Sequence, residues 1–255
     1  KGLESRIIGD DNVVFKGIAT LEDAGPDQAV ILRAKAKLAK TQYFIDTLNS
    51  KKVAAVITTD ELSSNVKDTP VLIVENPRLA FTYLLDNNDK AIIEDSATIY
   101  DCVTLGENIS IGPNTIVGSC GLSINRHDEK LVNTTHIGGV VIHDNVIIGG
   151  NSVIVRAVMG NTVIGEYSIL AHCVSIGHGC QIGKRVKIAP GAVISGSCKV
   201  GNDVWIGPNV SIKEGISIGR GSFIGIGSVV INDLPENIVA VGSPAKILKT
   251  SKRPW

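Results

Sequence analysis

The chain is poor in the residues that build most cores and most special sites. Aromatic residues make up 4%, and one methionine occurs in 255 residues. Five cysteines stand at 102, 120, 173, 180 and 198, an odd number with no Cys-x-x-Cys pair. That spacing excludes a disulfide framework and a zinc ribbon, and it points to a reducing compartment. Net charge is absent too: 25 Lys and Arg balance 25 Asp and Glu. A balanced chain has no basic footprint for nucleic acid or for an anionic membrane surface. No apolar run approaches the ~18 residues of a membrane helix, and Lys1 to Arg6 has no signal-type apolar centre. The expectation is a cytoplasmic protein without a membrane span.

What is abundant is glycine, 27 residues, and aliphatic residues on a regular beat. From Ile93 an aliphatic residue recurs every six positions, at Ile99, Leu105, Ile111 and Val117. The beat stops over 119–136 and resumes at Ile142, Ile148 and Ile154. A four-residue insertion near Met159 to Thr162 shifts it once. It then runs unbroken from Ile164 through Leu170, Ile176, Ile182, Ile188, Ile194, Val200, Ile206, Ile212, Ile218 and Ile224 to Val230. The residue after the beat is commonly Gly, and four places after it stands a small or β-branched residue such as Val174, Cys180, Ala192 or Cys198.

A period of six is neither helical nor a plain alternating strand. It fits short strands joined by tight corners, with glycine placed where the backbone must take a conformation closed to other residues. Three sides close a triangular coil of eighteen residues, and successive coils stack as parallel strands about 4.8 Å apart. Beat residues point inward, and the column four places on fills the corners, so Cys180 and Cys198 read as core. The expected organisation is a small α/β domain over 1–90, a β-prism over 91–232 interrupted by the loop 119–136, and a C-terminal extension over 233–255. In the first domain strands are expected near 13–19, 29–32, 53–58 and 71–74. Helices are expected near 35–48 and, opened by Pro77, over 78–85. The tail from Ser251 to Trp255 reads as loose.

A prism filled with side chains leaves outward positions and excursions for chemistry. The loop 119–136 is one such place, with Asn125, Arg126 and His127 as candidate substrate contacts. The histidines 127, 136, 143, 172 and 178 are another. His172 and His178 lie two places after a beat, hence outward on consecutive faces. Eighteen residues beyond His178 comes Gly196, one strand spacing away. A neutral imidazole beside an accessible backbone N–H supplies a base and an oxyanion donor in one groove, as acyl transfer requires. The same step from His172 lands on Pro190, which has no N–H to offer. No metal site is expected, because the histidine spacing does not give three convergent ligands.

Several motifs resemble the UDP-3-O-acylglucosamine N-acyltransferases of lipid A synthesis: Gly118-Ser119-Cys120-Gly121, Ile137-Gly138, Asp144, Arg156, Thr162-Val163-Ile164-Gly165, Ile176-Gly177-His178 and Ser195 to Gly201. The likeness runs from about 118 to 218, and Val71 to Ala80 is similar to that family's uridine-binding domain. The pattern is that of left-handed hexapeptide-repeat β-helices, and the handedness follows from the resemblance, since a crossover without helices breaks the usual right-handed preference. The resemblance places His178 on the family's catalytic histidine and Gly196 on the glycine whose N–H faces the thioester carbonyl. It implies that Tyr43, Phe44 and Asn76 meet the nucleotide, and that three subunits associate around shared sites.

The chain departs from that family in having fewer coils before the loop, no closing helices for acyl carrier protein, and Gly215 where a second family histidine stands. Val229 to Pro235, and Val241 to Lys246, instead resemble the ending of coenzyme A-dependent sugar acetyltransferases. Ser197, Gly242 and Lys246 are therefore the candidate donor contacts. The expected function is N-acyl transfer from an acyl-CoA (acetyl-CoA or longer) to a nucleotide-linked amino sugar, as in surface-polysaccharide or O-antigen precursor synthesis. The alternatives are a lipid A enzyme using acyl carrier protein, an O-acetyltransferase, and a non-catalytic scaffold. What orients His178 stays open, with Asp128, Glu129 or a carboxylate from another subunit as candidates.

Overall fold

A computed structural model describes residues 5–32, 38–84 and 91–251. The chain divides into two compact units, Lys1–Asn88 and Asp89–Trp255. In the first unit the strands Gly17–Ala19, Gln28–Ile31, Ala55–Thr58 and Val71–Val74 run parallel, and Ser5–Ile8 adds an antiparallel edge beside Val71–Val74. The central strand Ala55–Thr58 is buried at every residue, as expected of a parallel strand covered on both faces. The edge strand at 5–8 was not expected, and the strand expected over 13–19 spans only Gly17–Ala19. Helices cover Leu38–Asn49 and Pro77–Leu84. The start of the first expected helix, 35–37, and the tail 252–255 lie outside the described residues.

The second unit is a β-solenoid of three parallel sheets with six, eight and seven strands. Its register repeats every eighteen residues where the beat is unbroken: Ile176 pairs with Ile194, Ile194 with Ile212, and Ile212 with Val230. Across the insertion the partner lies 22 residues away, as in Ile142 with Ile164, and across the loop 37 away, as in Leu105 with Ile142. Beat residues from Ile111 onward are buried in one aliphatic column per sheet, and the corner column from Ser168 through Cys180, Ala192, Cys198 and Val210 to Ser228 is buried with them. The first beats differ. Ile93 is 43% exposed, because no coil precedes it to cover that end. The expected C-terminal extension continues the stack, since Ile238–Val241 pairs in parallel with Phe223–Ile224 before Lys246–Thr250 folds back antiparallel.

One expectation needs correction. Apart from Gly118 at φ 93°, the glycine after the beat is not the residue with the unusual backbone. At every sixth residue from Tyr167 to Gly227 φ lies between 54° and 76°, and Cys173, Arg185, Ser197, Asp203 and Asn209 stand there as well as glycines. This position falls three places after the beat, where the chain turns the corner. The glycine directly after the beat serves a different need, close approach of the next coil. A Cβ on Gly201 would stand 2.6 Å from the Arg220 backbone nitrogen, and one on Gly165 2.5 Å from the Gly183 carbonyl carbon.

Candidate active site

The corner between the seven-stranded and six-stranded sheets carries residues 178, 196 and 214 on successive coils. Each stands two places after a beat residue, Ile176, Ile194 and Ile212, whose burial pins the corner in register. The insertion after Val155 supports this corner. The Gly179 N–H donates to the buried Thr162 hydroxyl at 2.9 Å, and that hydroxyl donates to the Val155 carbonyl at 2.7 Å. The end of the long loop is held to the same insertion, with the Ile137 N–H on the Val158 carbonyl and Arg156 Nε on the Gly138 carbonyl at 2.7 Å.

His178 lies across Gly196. Its side chain is 18% exposed, neither sealed in the core nor free in solvent. A Cβ on residue 196 would stand 2.5 Å from both Cε1 and Nε2 of the imidazole, so only glycine leaves room for the ring. Gly196 accepts at its carbonyl from the Gly215 N–H at 2.9 Å, while its own N–H has no acceptor among the described residues. The glycine is buried beneath the ring, which corrects the expectation of an open amide. Below it, Cys180 and Cys198 are buried free thiols, as expected of core. Its hydrogen bond with the Cys198 thiol, and then burial, push the Cys180 thiol up, so it stays protonated and inert.

Of two residues beside the imidazole, Glu214 was not named from the sequence and His136 was named among the histidines without a role. Glu214 Oε1 stands 3.7 Å from His178 Nε2, so the nearby carboxylate belongs to the same chain and not to Asp128 or Glu129. The eighteen-residue step that led from 178 to 196 leads on to 214, a signal present in the sequence. His136 is 2% exposed and packs edge-to-face on His178, with ring centroids 5.5 Å apart. Its Nδ1 lies 3.1 Å from the Thr134 carbonyl. A carbonyl only accepts, so Nδ1 carries a proton, and the buried Nε2 has no partner among the described residues. The loop breaks the beat before His136, so no spacing leads to it.

The other expected contacts scatter. The loop forms a hairpin, Ile124–His127 against Lys130–Asn133. On it Asn125 donates to the Thr134 hydroxyl at 2.9 Å, Arg126 is exposed, and His127 stands 3.9 Å from Asp128. No hydrogen bond or ion pair joins these three to His178. His172, on the next corner, accepts from the Gly150 N–H at Nδ1, 2.9 Å away. Ser197 is exposed, and its N–H donates to the His178 carbonyl at 2.7 Å. Gly242 turns at φ 100° with its N–H on the Ser228 hydroxyl, and Lys246 is exposed after that turn. In the first unit Tyr43 is 63% exposed, whereas Phe44 packs on the core, so only one of that pair offers a free face. Asn76 caps a helix, its Oδ1 accepting from the Leu79 N–H at 3.1 Å, and that structural use was not expected from the sequence.

Comparison with known proteins bears on the repeat and the fold. The bacterial transferase hexapeptide (six repeats) model matches residues 158–196 and 197–232. A UDP-3-O-acylglucosamine N-acyltransferase of Caulobacter vibrioides is 44% identical over 134 residues, covering 52% of this chain and 40% of the relative. One from Shewanella denitrificans is 39% identical over 80 residues, covering 31% of this chain and 24% of that protein. The chain thus spans less than half the length of the curated relatives it matches. Among solved structures, a UDP-N-acetylglucosamine acyltransferase from Bacteroides fragilis aligns with a TM-score of 0.54 at 22% identity, over 60% of this chain and 58% of that one. One from Campylobacter jejuni aligns at 0.50 and 21%, over 63% and 73%. At such identities the likeness speaks for the fold alone. The prism of this chain has the fold of a left-handed β-helix, and its residues 158–232 match hexapeptide repeats of the bacterial transferase type.

Proposed function

We propose that this chain is an N-acyltransferase that moves an acyl group from an acyl-CoA thioester to the amine of a nucleotide-linked amino sugar. The observation that carries the reading is the His178 imidazole lying across Gly196, whose N–H has no protein acceptor. The amine nitrogen attacks the thioester carbonyl carbon, and His178 takes the proton released from nitrogen. The developing oxyanion accepts from the Gly196 N–H at the edge of the imidazole. Collapse breaks the C–S bond, and the imidazolium returns the proton to the leaving thiolate. No covalent enzyme intermediate is needed, because a thioester is already activated, and no metal is called for.

The donor runs along the groove past Ser197 toward Gly242 and Lys246, whose ammonium meets a phosphate as a point charge. In the first unit, taken by itself, Tyr43 offers an exposed face on which a nucleobase can stack, and Phe44 and Asn76 are the other nucleotide candidates there. Asn125, Arg126, His127 and His172 contact the sugar nucleotide from the loop and the neighbouring corner, within a trimer whose sites lie between subunits. An outward row on the eight-stranded sheet, with Ile147 39% and Ile169 43% exposed, then Lys187 over Trp205 and the tilted pair Trp205 and Phe223 with ring centroids 5.4 Å apart, is consistent with such subunit contacts. A trimer by light scattering is the expected result. No described helix is long and apolar enough to cross a membrane, and we place the protein in the cytoplasm.

The names of the curated relatives favour a second reading, N-acylation of a UDP-3-O-acylglucosamine, for which acylated carrier protein is the alternative donor. Thiol release from acetyl-CoA and longer acyl-CoA, screened against UDP- and dTDP-linked amino sugars, decides between them. Turnover with an acyl-CoA, lost in His178→Ala, is the expected result. Turnover with acylated carrier protein alone would select the second reading, and activity retained without His178 would overturn both.

A further inference from the structure

We infer that Glu214 binds the incoming amine and makes this site selective for a nitrogen nucleophile over a hydroxyl. The inference rests on the reading of His178 as the base. Residues 178, 196 and 214 occupy one column on three successive coils, two strand spacings from first to last. Because Gly196 between them has no side chain, the imidazole lies down over it and the carboxylate reaches toward the imidazole. The result is Oε1 at 3.7 Å from Nε2.

That separation is too long for a hydrogen bond, so the two atoms do not satisfy each other. Glu214 has no hydrogen-bond donor among the described residues, and its side chain is 64% exposed. A carboxylate that braces nothing in the fold keeps its lone pairs for a ligand. Two acceptors 3.7 Å apart, Nε2 and Oε1, face a point that one donor nitrogen reaches from both sides. A primary amine carries two protons and its ammonium three, so it donates to both at once. A hydroxyl carries one. If that proton goes to His178, the hydroxyl oxygen turns only lone pairs toward the carboxylate.

An amino sugar arrives at neutral pH largely as the ammonium, which the carboxylate attracts. It loses one proton through Glu214 to solvent. The neutral amine then forms the C–N bond as the C–S bond breaks, and His178 carries the second proton to the thiolate. The overall change is ammonium plus thioester to amide, thiol and one proton.

The test compares wild type with Glu214→Gln, which keeps size and removes charge. The probes are UDP- and dTDP-linked amino sugars and the matching sugars with a hydroxyl in place of the amine, read by thiol release from acetyl-CoA and by calorimetric binding. Removing the charge should raise KM for the amine about tenfold or more, as expected for one hydrogen bond to a charged group. Binding of the hydroxyl sugars should stay within about twofold and kcat should change less than KM. Equal losses for both ligand sets, or no loss for the amine while wild type turns it over, would overturn the inference and leave the acyltransfer reading standing. Wild type that binds amine over hydroxyl through Glu214 without turnover would support the amine site and sink the acyltransfer reading. Neither turnover nor preference would sink both. Glu214→Ala with an unchanged thermal midpoint excludes misfolding as the cause.

Discussion

The two units hold their cores by different rules. In the first, Val56 and Ile57 are buried between neighbours drawn from strands and helices at irregular distances along the chain. In the second, each buried residue rests on its equivalent in the next coil, as Ile176 rests on Ile194 and Ile194 on Ile212. A solenoid of this kind is stabilised by nearest-neighbour contacts, so position along the stack matters little and position within the coil matters a great deal. That is also how the site arises. A repeat that copies one position every eighteen residues lines up three of them without any long-range folding accident.

The largest expected effect falls on one outward position of that repeat. His178→Ala should lower turnover by about 10²–10⁴-fold at a modest cost in chemical denaturation, because the ring packs on His136 and across Gly196. Retained activity would mean that the column is only architecture. Next comes the contrast between inward and outward neighbours. Ile194→Ala should cost ~2–5 kcal/mol by denaturant unfolding, the range for a fully buried aliphatic. Val193→Ala, 43% exposed on the same strand, should stay within about 0.5 kcal/mol. Hydrogen exchange sharpens the difference between units. Ile194→Ala should loosen mainly the coils at 176–212, whereas Ile57→Ala should loosen its whole sheet.

A smaller effect separates the two kinds of glycine. Gly201→Ala sets a methyl against the backbone of the next coil and should cost about 1–3 kcal/mol, as overpacking does. At Gly215 nothing lies within 4 Å of the added Cβ and φ is +76°, so Gly215→Ala should cost only the left-handed backbone penalty of about 1–2 kcal/mol. Equal losses above that range at both sites would show that the corner backbone, rather than close approach, sets the glycine pattern.

The smallest effect belongs to a corner ion pair. Arg185 grips Asp203 through Nε at 2.6 Å and through its second nitrogen at 2.9 Å, and that grip holds the Asp203 carboxyl below its ordinary value. A depressed carboxyl contributes stability above the ordinary carboxylate range, and the contribution fades as pH falls through the lower folded value. The pair is partly exposed, so screening keeps the gain small. Asp203→Asn should lower the thermal midpoint slightly at pH 7 and not at all at strongly acid pH. A pH-independent loss would assign the effect to packing instead.

Much of the prism was legible because its repeat is one-dimensional. The beat, the buried corner column with Cys180 and Cys198, and the stacking of 178 on 196 all follow from counting. Which glycines turn the chain did not. Tyr167, Cys173 and Arg185 hold left-handed backbone that no propensity assigns to them, because neighbouring coils impose it. His136 was equally hidden. Its place beside His178 depends on how the loop 119–136 returns, and a broken beat carries no register. In the first unit the edge strand Ser5–Ile8 pairs with Val71–Val74, a partner chosen by the finished sheet rather than by its own short run.

By itself, the order of residues determined a triangular coil of eighteen and hence which side chains share a column, since a fixed period maps spacing directly onto proximity. The tertiary structure alone decided that His136 packs on His178, that Glu214 reaches to 3.7 Å from Nε2, and that Asn76 caps a helix. Those outcomes depend on rotamers and on a loop's return path, which obey no period.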